Sequence, residues 1–356
     1  METKMKTPYI QIDLIKLQQN LEAVRNLCHS SHAQLTPVSK VVMGHPRITS
    51  LYAKQTHSIG DSRIIDILRM HSSGVKGRFL LVRTPALSEA EDVMRLADIS
   101  MQSDLQVLQA INDEAVKLKT AHQIIVMIEM GDLREGILQD QLENFLRATL
   151  TMKGIDVLGI GTNATCFAGL IPTPENLSFL YPAKALFKKL FHRDPLVSGG
   201  GSNLVPLMIN HTLPDCINHV RMGESIVMGV DAIKGLPVPG THQDCFKLYG
   251  EIIESIIKPS SIKGPLAHNA FGEHPVFQNK GLRRRALVNI GRLDTDIRQI
   301  TPTQPGISIL GASSDHLVLD IEEADKLNVG DILEFNLTYS SLLFAMNSPY
   351  VEKVFI

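Results

Sequence analysis

The chain has 356 residues, of which 44% are hydrophobic and 20% are charged, so it can bury one large core and a smaller second one. A formal net charge of -2 argues against a nucleic-acid-binding protein and against a membrane protein that binds through a basic surface. No apolar run approaches the ~18 residues of a membrane span, and no signal peptide is evident. The four cysteines are widely spaced, which predicts reduced thiols in a cytoplasmic protein rather than disulfides or a zinc site.

Short apolar runs alternate with amphipathic segments over the first 230 residues. The runs predict strands at residues 34–40, 57–60, 78–83, 98–102, 123–130, 155–161, 195–199 and 217–222. The segments before and between them predict helices, for example LIKLQQNLEAVRNL, SRIIDILRMH and SDLQVLQAINDEAVKLK. Alternating strands and helices form parallel sheets, and this number of units fits a (β/α)8 barrel of the TIM type. An open, doubly wound parallel sheet is the alternative.

The pattern changes after residue 235, where GLPVPG predicts a linker. The long amphipathic helices give way to short strands and turns, such as RRRALVNIG and VGDILEFNLTY. We therefore predict a barrel over residues 10–235 and a β-rich domain over residues 236–356. An amino-terminal strand, assigned to residues 1–9, is expected to pair with the second domain.

Ligands of such barrels bind at the carboxyl ends of the strands, so the residues that follow the strands are the candidates for chemistry. Those residues are Lys40, Arg134, Asn163, Cys166, Arg221 and Gly223. The seventh strand leads into SGGGSN, where the glycines let a ligand approach the backbone and Ser202 offers a hydroxyl and an N–H to an anion. A flexible turn is the alternative for this loop.

A lysine together with a phosphate site suggests pyridoxal phosphate as the cofactor. A lysine amine in an apolar environment can form a Schiff base with an aldehyde, and the phosphate would anchor the cofactor. For Lys40 taken alone, a solvated surface lysine is the alternative.

Several long and unusual stretches invite comparison with known families: VSKVVMGHP, GDSR, IEMGDLREGI, GIGTNATC, VSGGGSNL, INHVRMGESIVMG, LVNIGRLDTDI, ILGASSDHLVLDI and LTYSSLLFAMNSPYVEKVF. Over essentially its whole length the chain resembles the alanine racemase-like, fold-type III pyridoxal phosphate enzymes, and among them the ornithine racemase group. The resemblance implies a cofactor-binding barrel with a carboxyl-terminal β-domain. It also implies an isomerase acting on a small amino acid, and a head-to-tail homodimer in which the β-domain completes the partner's site.

The resemblance also implies roles for individual residues around the cofactor. Lys40 would bind it covalently, and the remaining contacts would come from Asn163, Ser202, Arg221, Gly223, Glu224 and Tyr339. Four of these, Ser202, Gly223, Glu224 and Tyr339, correspond to phosphate ligands, and Asn163 stands where alanine racemases have a histidine under the ring. Arg221 would face the pyridine nitrogen; because arginine stays protonated, the nitrogen would not be, which favours prompt reprotonation at Cα over transamination. Arg134 corresponds to an arginine near the substrate carboxylate.

The chain departs from the family at the second catalytic base. Alanine racemases place a tyrosine there, whereas NIGRLDTD has Arg292, and an always-charged arginine cannot act as a base. We favour Asp315 with His316, because the family has a substrate-contacting aspartate at the first of these positions and histidine has a suitable pKa. A structural role is the alternative for His316. The other candidates are Asp294, Cys166 and a one-base mechanism through Lys40.

The substrate is less constrained. A basic side chain would need a carboxylate, for which Asp132, Glu135 and Asp315 are available. The stretch HNAFGEHP, residues 268–275, lacks a third ligand at a metal spacing, so we expect a turn and no metal, or a loop that reaches the partner's site. The sequence thus predicts an amino-acid racemase, ornithine racemase first. The alternatives are an alanine or broad-specificity racemase, an aldolase-type enzyme on the same scaffold, and a non-catalytic pyridoxal phosphate-binding protein.

Overall fold

The computed structural model describes residues 6–356, which form two compact units. The barrel unit is Lys16–Gln243, and the β unit combines the amino-terminal segment up to Ile15 with Asp244–Ile356. The border predicted between residues 235 and 236 lies on the amino-terminal side of this division. Residues 1–5 of the predicted first strand lie outside the described residues.

The barrel unit is built on parallel strands that close on themselves. After β1 (Tyr9–Ile12), which belongs to the β unit, the strands are β2 (Gln34–Pro37), β3 (Ser58–Asp61), β4 (Arg78–Leu81), β5 (Ile99–Gln102), β6 (His122–Ile128), β7 (Ile155–Thr162), β8 (Leu196–Ser198) and β9 (His219–Met222). Hydrogen bonds connect them in the order β2-β9-β8-β7-β6-β5-β4-β3, and a parallel bridge between Val38 and Gly60 joins the two ends. The predicted barrel is confirmed, and the open sheet is wrong.

Helices connect successive strands of the barrel. They are α1 (Leu14–Ser30), α2 (Pro46–Gln55), α3 (Ile64–Ser72), α4 (Ala90–Leu96), α5 (Leu105–Lys117), α6 (Leu142–Thr149), α7 (Pro174–Leu177), α8 (Leu180–Phe191), α9 (Val205–Ile209) and α10 (Glu224–Val227). No helix within residues 6–356 combines the length and apolar character needed to cross a membrane.

Local sequence explains these elements. Helix α5 begins after Asp104, whose Oδ1 accepts the N–H groups of Gln106 (2.8 Å) and Val107 (3.1 Å). Its buried side chains recur at helical spacing, and they are Val107, Leu108, Ile111, Asn112 and Ala115. Strand β6 reads HQIIVMI and is almost continuously buried, as expected for a parallel strand with both faces covered.

The β unit contains the second sheet. Its remaining elements are β10 (Phe246–Pro259), β11 (Leu282–Val288), β12 (Ile300–Pro302), β13 (Ser308–Ala312), β14 (Leu317–Asp320), β15 (Ile332–Leu337), α11 (Tyr339–Asn347) and β16 (Glu352–Phe355). The main order is β12-β15-β10-β11-β14-β13, all antiparallel. Strand β1 pairs antiparallel with β10 and parallel with β16. This sheet confirms the predicted β-rich region. The amino-terminal strand that pairs with it is Tyr9–Ile12, which shares only Tyr9 with the residues 1–9 assigned to it from the sequence.

Strand β7 depends on a glycine where it meets β8. Gly159 is opposite Leu196 in the ladder, and a Cβ at this position would lie 1.9 Å from the Leu196 carbonyl oxygen. Any side chain would therefore push the two backbones apart and open the sheet between β7 and β8.

We expect Gly159→Ala to lower the free energy of unfolding by about 3 kcal/mol, because the new methyl group meets backbone atoms that cannot move independently. Denaturant titration followed by circular dichroism measures this change. Lys153→Ala, at an exposed position just before the same strand, is the control and should change stability by less than about 0.5 kcal/mol. Equal stability of the two variants would contradict the packing argument.

Candidate active site

Lys40 lies at the carboxyl end of β2, where the chain turns sharply. It begins a single 3-10 turn, Lys40–Val42, which is followed by two residues in the left-handed region, Met43 (φ 55°) and Gly44 (φ 58°). The residues on either side of the lysine are buried, whereas its own side chain is exposed. The turn thus holds an amine at the barrel end on a backbone that is itself packed.

The loops after β8 and β9 form a site suited to an anion. Ser202 begins a 3-10 turn after β8, and its Oγ accepts the N–H of Ser225 (3.0 Å) in the loop after β9. The hydroxyl proton of Ser202 remains available to donate to a ligand. A Cβ at Gly201 would lie 2.8 Å from the Arg221 carbonyl oxygen, so only glycine permits the two loops to come this close. The Ile226 and Val227 N–H groups donate to the Gly223 carbonyl oxygen, so it is the backbone at Gly223 and Glu224, together with the Ser202 hydroxyl, that fits a phosphate group.

Glu224 itself lies near the lysine. Burial raises the pKa of its carboxyl group, the positive charge of Lys40 partly offsets this, and the negative charge of Asp231 raises it further. The positive charge of Lys40 thus favours the ionised form of this half-buried carboxyl group beside the anion site.

Arg221, in β9, is a buried cation held by neutral acceptors. It is 8% exposed, and its guanidinium donates to the carbonyl oxygens of Thr162 (2.8 Å) and Ser198 (3.3 Å) and to the Ser198 hydroxyl. Burial lowers its pKa to about 10, so the group remains protonated at neutral pH. Because these neutral oxygens hold the guanidinium, Arg221 presents a positive charge in a fixed orientation.

A hydrogen-bonded chain runs from Arg221 across three strands. The Ser198 Oγ contacts His219 Nδ1 (2.7 Å), and His219 Nε2 contacts Thr36 Oγ1 (2.8 Å) in β2. Burial and the charge of Arg221 lower the pKa of His219 to about 3, so its ring is neutral. Since Arg221 can only donate, every atom is satisfied when the Ser198 hydroxyl donates to Nδ1 and Nε2–H donates to Thr36.

Arg134 and Asn163 follow neighbouring strands, β6 and β7, and both contact Asp132. The Asn163 Nδ2 donates to Asp132 Oδ2 (3.0 Å), and Arg134 Nε lies 3.6 Å from the same oxygen. The other oxygen accepts the N–H groups of Phe167 (3.0 Å) and Ala168 (3.1 Å). The carboxylate of Asp132 is thus buried and fully engaged, which leaves it no capacity for a basic substrate side chain. Sequence reasoning missed this linking role.

Two further ionisable side chains lie in the same part of the barrel. Glu135 accepts a hydrogen bond from Arg134 Nη2 (3.0 Å), and its charge favours the protonated form of Arg221. Cys166 is exposed, and its Sγ lies 3.8 Å from Asn163 Oδ1. Of the three carboxylates considered for a basic substrate, Glu135 is the one in this region that stays partly accessible.

In the β unit, the segments containing Arg292 and His316 lie side by side. The N–H of Arg292 donates to the Ser313 carbonyl oxygen (3.1 Å) at the turn between β13 and β14. In that turn His316 Nδ1 is 2.8 Å from Asp315 Oδ1, and both side chains are exposed. Hydrogen bonds from His316 and Ser313 lower the pKa of Asp315. Asp294 is instead buried and accepts the Gly291 N–H (2.8 Å), which is a structural role.

Arg292 holds the stretch HNAFGEHP in place. Its Nη1 and Nη2 donate to the two carboxylate oxygens of Glu273 (3.0 and 2.6 Å), and its Cζ lies 4.0 Å from the centre of the Phe271 ring. This hydrogen-bonded pair lowers the pKa of Glu273 to about 2. Asn269 Oδ1 accepts the Phe271 and Glu273 N–H groups (both 2.9 Å), so the stretch forms a turn. Across residues 6–356 no cluster of His, Cys, Asp or Glu is suited to a metal ion.

The predicted site residues thus fall into two groups. Lys40, Arg134, Asn163, Ser202, Arg221, Gly223 and Glu224 share the carboxyl end of the barrel unit. Asp315, His316 and Tyr339 belong to the β unit, where Tyr339 is half-buried as the first residue of α11. Sequence reasoning missed Ser198 and His219, although a histidine within the apolar strand β9 is the kind of signal that indicates a buried polar link.

Buried Asp61, the last residue of β3, was also missed. Burial raises its pKa to about 6; hydrogen bonds from Ser39 and from the N–H groups of Ser62 and Arg63 oppose this, while the charge of Asp66 adds to it. The folded protein therefore holds the Asp61 proton more tightly than the unfolded chain does.

We expect Ser198→Ala to lower the free energy of unfolding by about 2–3 kcal/mol, because a buried guanidinium and a buried imidazole each lose a partner. The matched control is Ser100→Ala, which removes a buried serine of the same barrel whose two partners, His122 Nε2 (2.9 Å) and Gln102 Nε2 (2.7 Å), include no arginine. Denaturant titration should show a smaller loss, about 1 kcal/mol, for the control. Equal losses would show that the contact with Arg221 contributes nothing.

Asp61 should make stability depend on pH. Because its folded-state pKa exceeds the usual value, its contribution to stability is fully present below about pH 4 and is lost as the pH rises through about 6. Asp61→Asn removes this titration, so its stability relative to the unsubstituted protein should improve by about 3 kcal/mol between about pH 4 and pH 7. Thermal melts across this range measure the difference, in which the histidine titrations cancel. A constant difference would contradict a raised pKa.

Comparison with known proteins agrees with this geometry. The family model "Alanine racemase, N-terminal domain" matches residues 12–231. Ornithine racemase of Acetoanaerobium sticklandii is 36% identical over 350 residues, which cover 97% of this chain and 99% of that protein. Lysine racemase of Thermotoga maritima is 35% identical over 353 residues, which cover 99% of both.

Solved structures share the fold at low identity. Alanine racemase of Streptomyces lavendulae gives a TM-score of 0.76 at 17% identity, covering 99% of this chain and 98% of that one. D-threonine aldolase of Filomicrobium marinum gives 0.75 at 15%, covering 97% and 90%. Alanine racemase of Bartonella henselae, with covalently bound pyridoxal phosphate, gives 0.73 at 16%, covering 99% and 100%. The fold thus serves more than one reaction, whereas the matches of sequence are to racemases. The chain belongs to the alanine racemase family.

Proposed function

We propose that this chain is a pyridoxal phosphate-dependent racemase that interconverts the L and D forms of a basic amino acid, with ornithine as the first candidate. The observation that carries the proposal is the buried guanidinium of Arg221, which is held by neutral acceptors. Its strand, β9, lies between β2, which leads into the turn that begins at Lys40 (the lysine turn), and β8, which leads into the loop that contains Ser202. The names of the two sequence relatives, ornithine racemase and lysine racemase, support the substrate class.

The barrel residues fit the cofactor. Lys40 would bind it covalently, Ser202 with the backbone at Gly223 and Glu224 would bind its phosphate, and Asn163 would lie beneath its ring. Tyr339 is the further proposed phosphate ligand, from the β-rich domain. Bound there, pyridoxal phosphate would draw electrons from the Cα–H bond of the substrate and make that proton acidic.

Arg221 would direct the outcome of the reaction. Its guanidinium donates a hydrogen bond and gives up no proton at neutral pH, so a nitrogen facing it would accept that bond and remain unprotonated. The electron-withdrawing power of the ring would then be limited, and negative charge would return quickly to Cα. This favours reprotonation at Cα over loss of the amino group, as a racemase requires.

The remaining residues would bind the substrate and move protons. Arg134 is suited to the substrate carboxylate, since a guanidinium binds a carboxylate through two parallel hydrogen bonds. Partly accessible Glu135 is suited to the distal ammonium group. Lys40 would exchange the Cα proton on one face of the substrate.

On the other face, the proton would come from Asp315 and His316 of the partner subunit. A hydrogen-bonded carboxylate–histidine pair can accept and return a proton near neutral pH, whereas Arg292 cannot. The proposal therefore includes a homodimer in which the domain of residues 236–356 completes the partner's site on the barrel of residues 10–235. No disulfide joins the cysteines of residues 6–356, which favours a reducing compartment such as the cytoplasm.

The proposed function predicts isotope exchange and inversion together. Purified protein with pyridoxal phosphate in deuterium oxide should convert L-ornithine to D-ornithine that carries deuterium at Cα, with L-lysine slower and L-alanine slowest. Chiral chromatography with mass spectrometry measures both. Cleavage products would indicate an aldolase, and bound cofactor without exchange would indicate a non-catalytic binding protein.

Lys40→Ala should abolish the visible absorbance of the bound cofactor and reduce racemisation by at least about 10³-fold, because the covalent attachment and one proton carrier are lost. Lys54→Ala, an exposed lysine on α2, is the matched control and should retain both. An unchanged cofactor spectrum in Lys40→Ala would exclude this lysine as the attachment point.

A further inference from the structure

Asp61 lies at the seam where the barrel closes. Strands β2 and β3 meet through the Val38–Gly60 bridge, and Ser39 extends this contact by donating its N–H to the Gly60 carbonyl oxygen (2.8 Å). The Ser39 hydroxyl donates to Asp61 Oδ2 (2.6 Å) and lies 3.1 Å from the same carbonyl oxygen. The residue immediately before Lys40 is therefore fixed by both its backbone and its side chain.

The end of the lysine turn is held by the same region of the chain. Arg69 Nη1 donates to the Met43 carbonyl oxygen and also to Asp66 Oδ1 (2.5 Å). A Cβ at Gly44 would lie 2.8 Å from the Asp66 carbonyl oxygen, so the turn packs directly on α3. Two carboxylates, one at the end of β3 and one in α3, thus fix the beginning and the end of the turn.

Burying these two carboxyl groups lowers the stability of the fold, because their charged forms lose hydration. Asp61 is 0% exposed and Asp66 is 6% exposed. Burial raises the pKa of both carboxyl groups, and the charge of Asp66 raises the pKa of Asp61 further. Neutral side chains would close a barrel seam with less desolvation. A buried acid whose hydroxyl partner directly precedes the reactive lysine is therefore explained better by the lysine than by stability.

We propose that Asp61 is a positioning residue, which acts through the Ser39 hydroxyl to fix the backbone from which Lys40 projects. The amine then returns to the same place whenever it is released, instead of searching among several turn conformations. This inference rests on the proposed function of Lys40, and it adds a residue that touches neither substrate nor cofactor.

The first test measures the turn itself. Backbone hydrogen exchange of a peptide covering residues 38–46 is followed by mass spectrometry in the full-length protein, with and without pyridoxal phosphate. Asp61→Ala and Ser39→Ala, which both remove the side-chain bond, should each speed exchange at the Val42 and Gly44 amides by about tenfold or more. Both amides donate to the Ser39 carbonyl oxygen (2.9 and 3.3 Å). Ser100→Ala, the buried serine of β5, is the control and should leave this peptide unchanged. Unchanged exchange in both seam variants would overturn the proposal.

The second test measures the consequence for catalysis. The seam variants should lose about 10–100-fold in kcat with KM within about threefold, and the visible circular dichroism band of the bound cofactor should change in intensity. The double variant should lose no more than the worse single variant, because both substitutions break one connection. Additive losses, or full kcat despite faster exchange, would overturn the proposal.

The two tests also separate this inference from the proposed function. If the unsubstituted protein neither binds pyridoxal phosphate nor racemises any amino acid, the proposed function fails. The exchange experiment still decides whether Asp61 and Ser39 fix the turn. Loss of activity in a seam variant whose melting temperature stays well above the assay temperature would not arise from unfolding.

Discussion

Closure of the parallel barrel is the constraint on which the site depends. A parallel sheet brings the carboxyl ends of all its strands to one side, and the pairing of β2 with β9 makes the first barrel strand a neighbour of the last. Strands β8, β9 and β2 are consecutive around the barrel, so Ser202, Arg221 and Lys40 lie on adjacent strand ends although they are far apart in sequence. The seam at Val38 and Gly60 is short, and Ser39 with Asp61 reinforces it at the point where the lysine turn begins.

The barrel interior accepts polar groups that reduce its stability in return for fixed positions. The atoms that accept hydrogen bonds from buried Arg221 are neutral oxygens. The neutral ring of His219 contacts Ser198 from the other side and limits how far the guanidinium can move. Asp61 serves the lysine turn in a comparable way from the opposite side of β2. In the first place, buried His219 contacts Ser198, which contacts Arg221. In the second place, buried Asp61 contacts Ser39, which directly precedes Lys40.

In the β unit, Arg292 has a structural role, because it holds Glu273 and Phe271 of the neighbouring turn. Its guanidinium therefore fixes the position of the turn that contains Glu273 and Phe271. The exposed Asp315–His316 pair lies on the adjoining turn and keeps a protonatable group available there.

The alternation of strands and helices, the candidate residues at the strand ends and the family resemblance could all be read from the sequence. Strand periodicity and turn chemistry are local, and each predicted barrel strand overlaps an observed one. What only the tertiary structure decided is which polar side chains are already satisfied. In the sequence, Asp132 and Asp294 are both candidate acids. In the structure, the carboxylate of Asp132 accepts hydrogen bonds from Asn163 and from backbone N–H groups, and that of Asp294 accepts one from the Gly291 N–H. The links from Ser39 to Asp61 and from Ser198 to His219 join residues about twenty positions apart, each on a different strand. Hydrogen bonds depend on distance and direction, which a linear pattern does not encode, so these connections emerged only when the barrel closed.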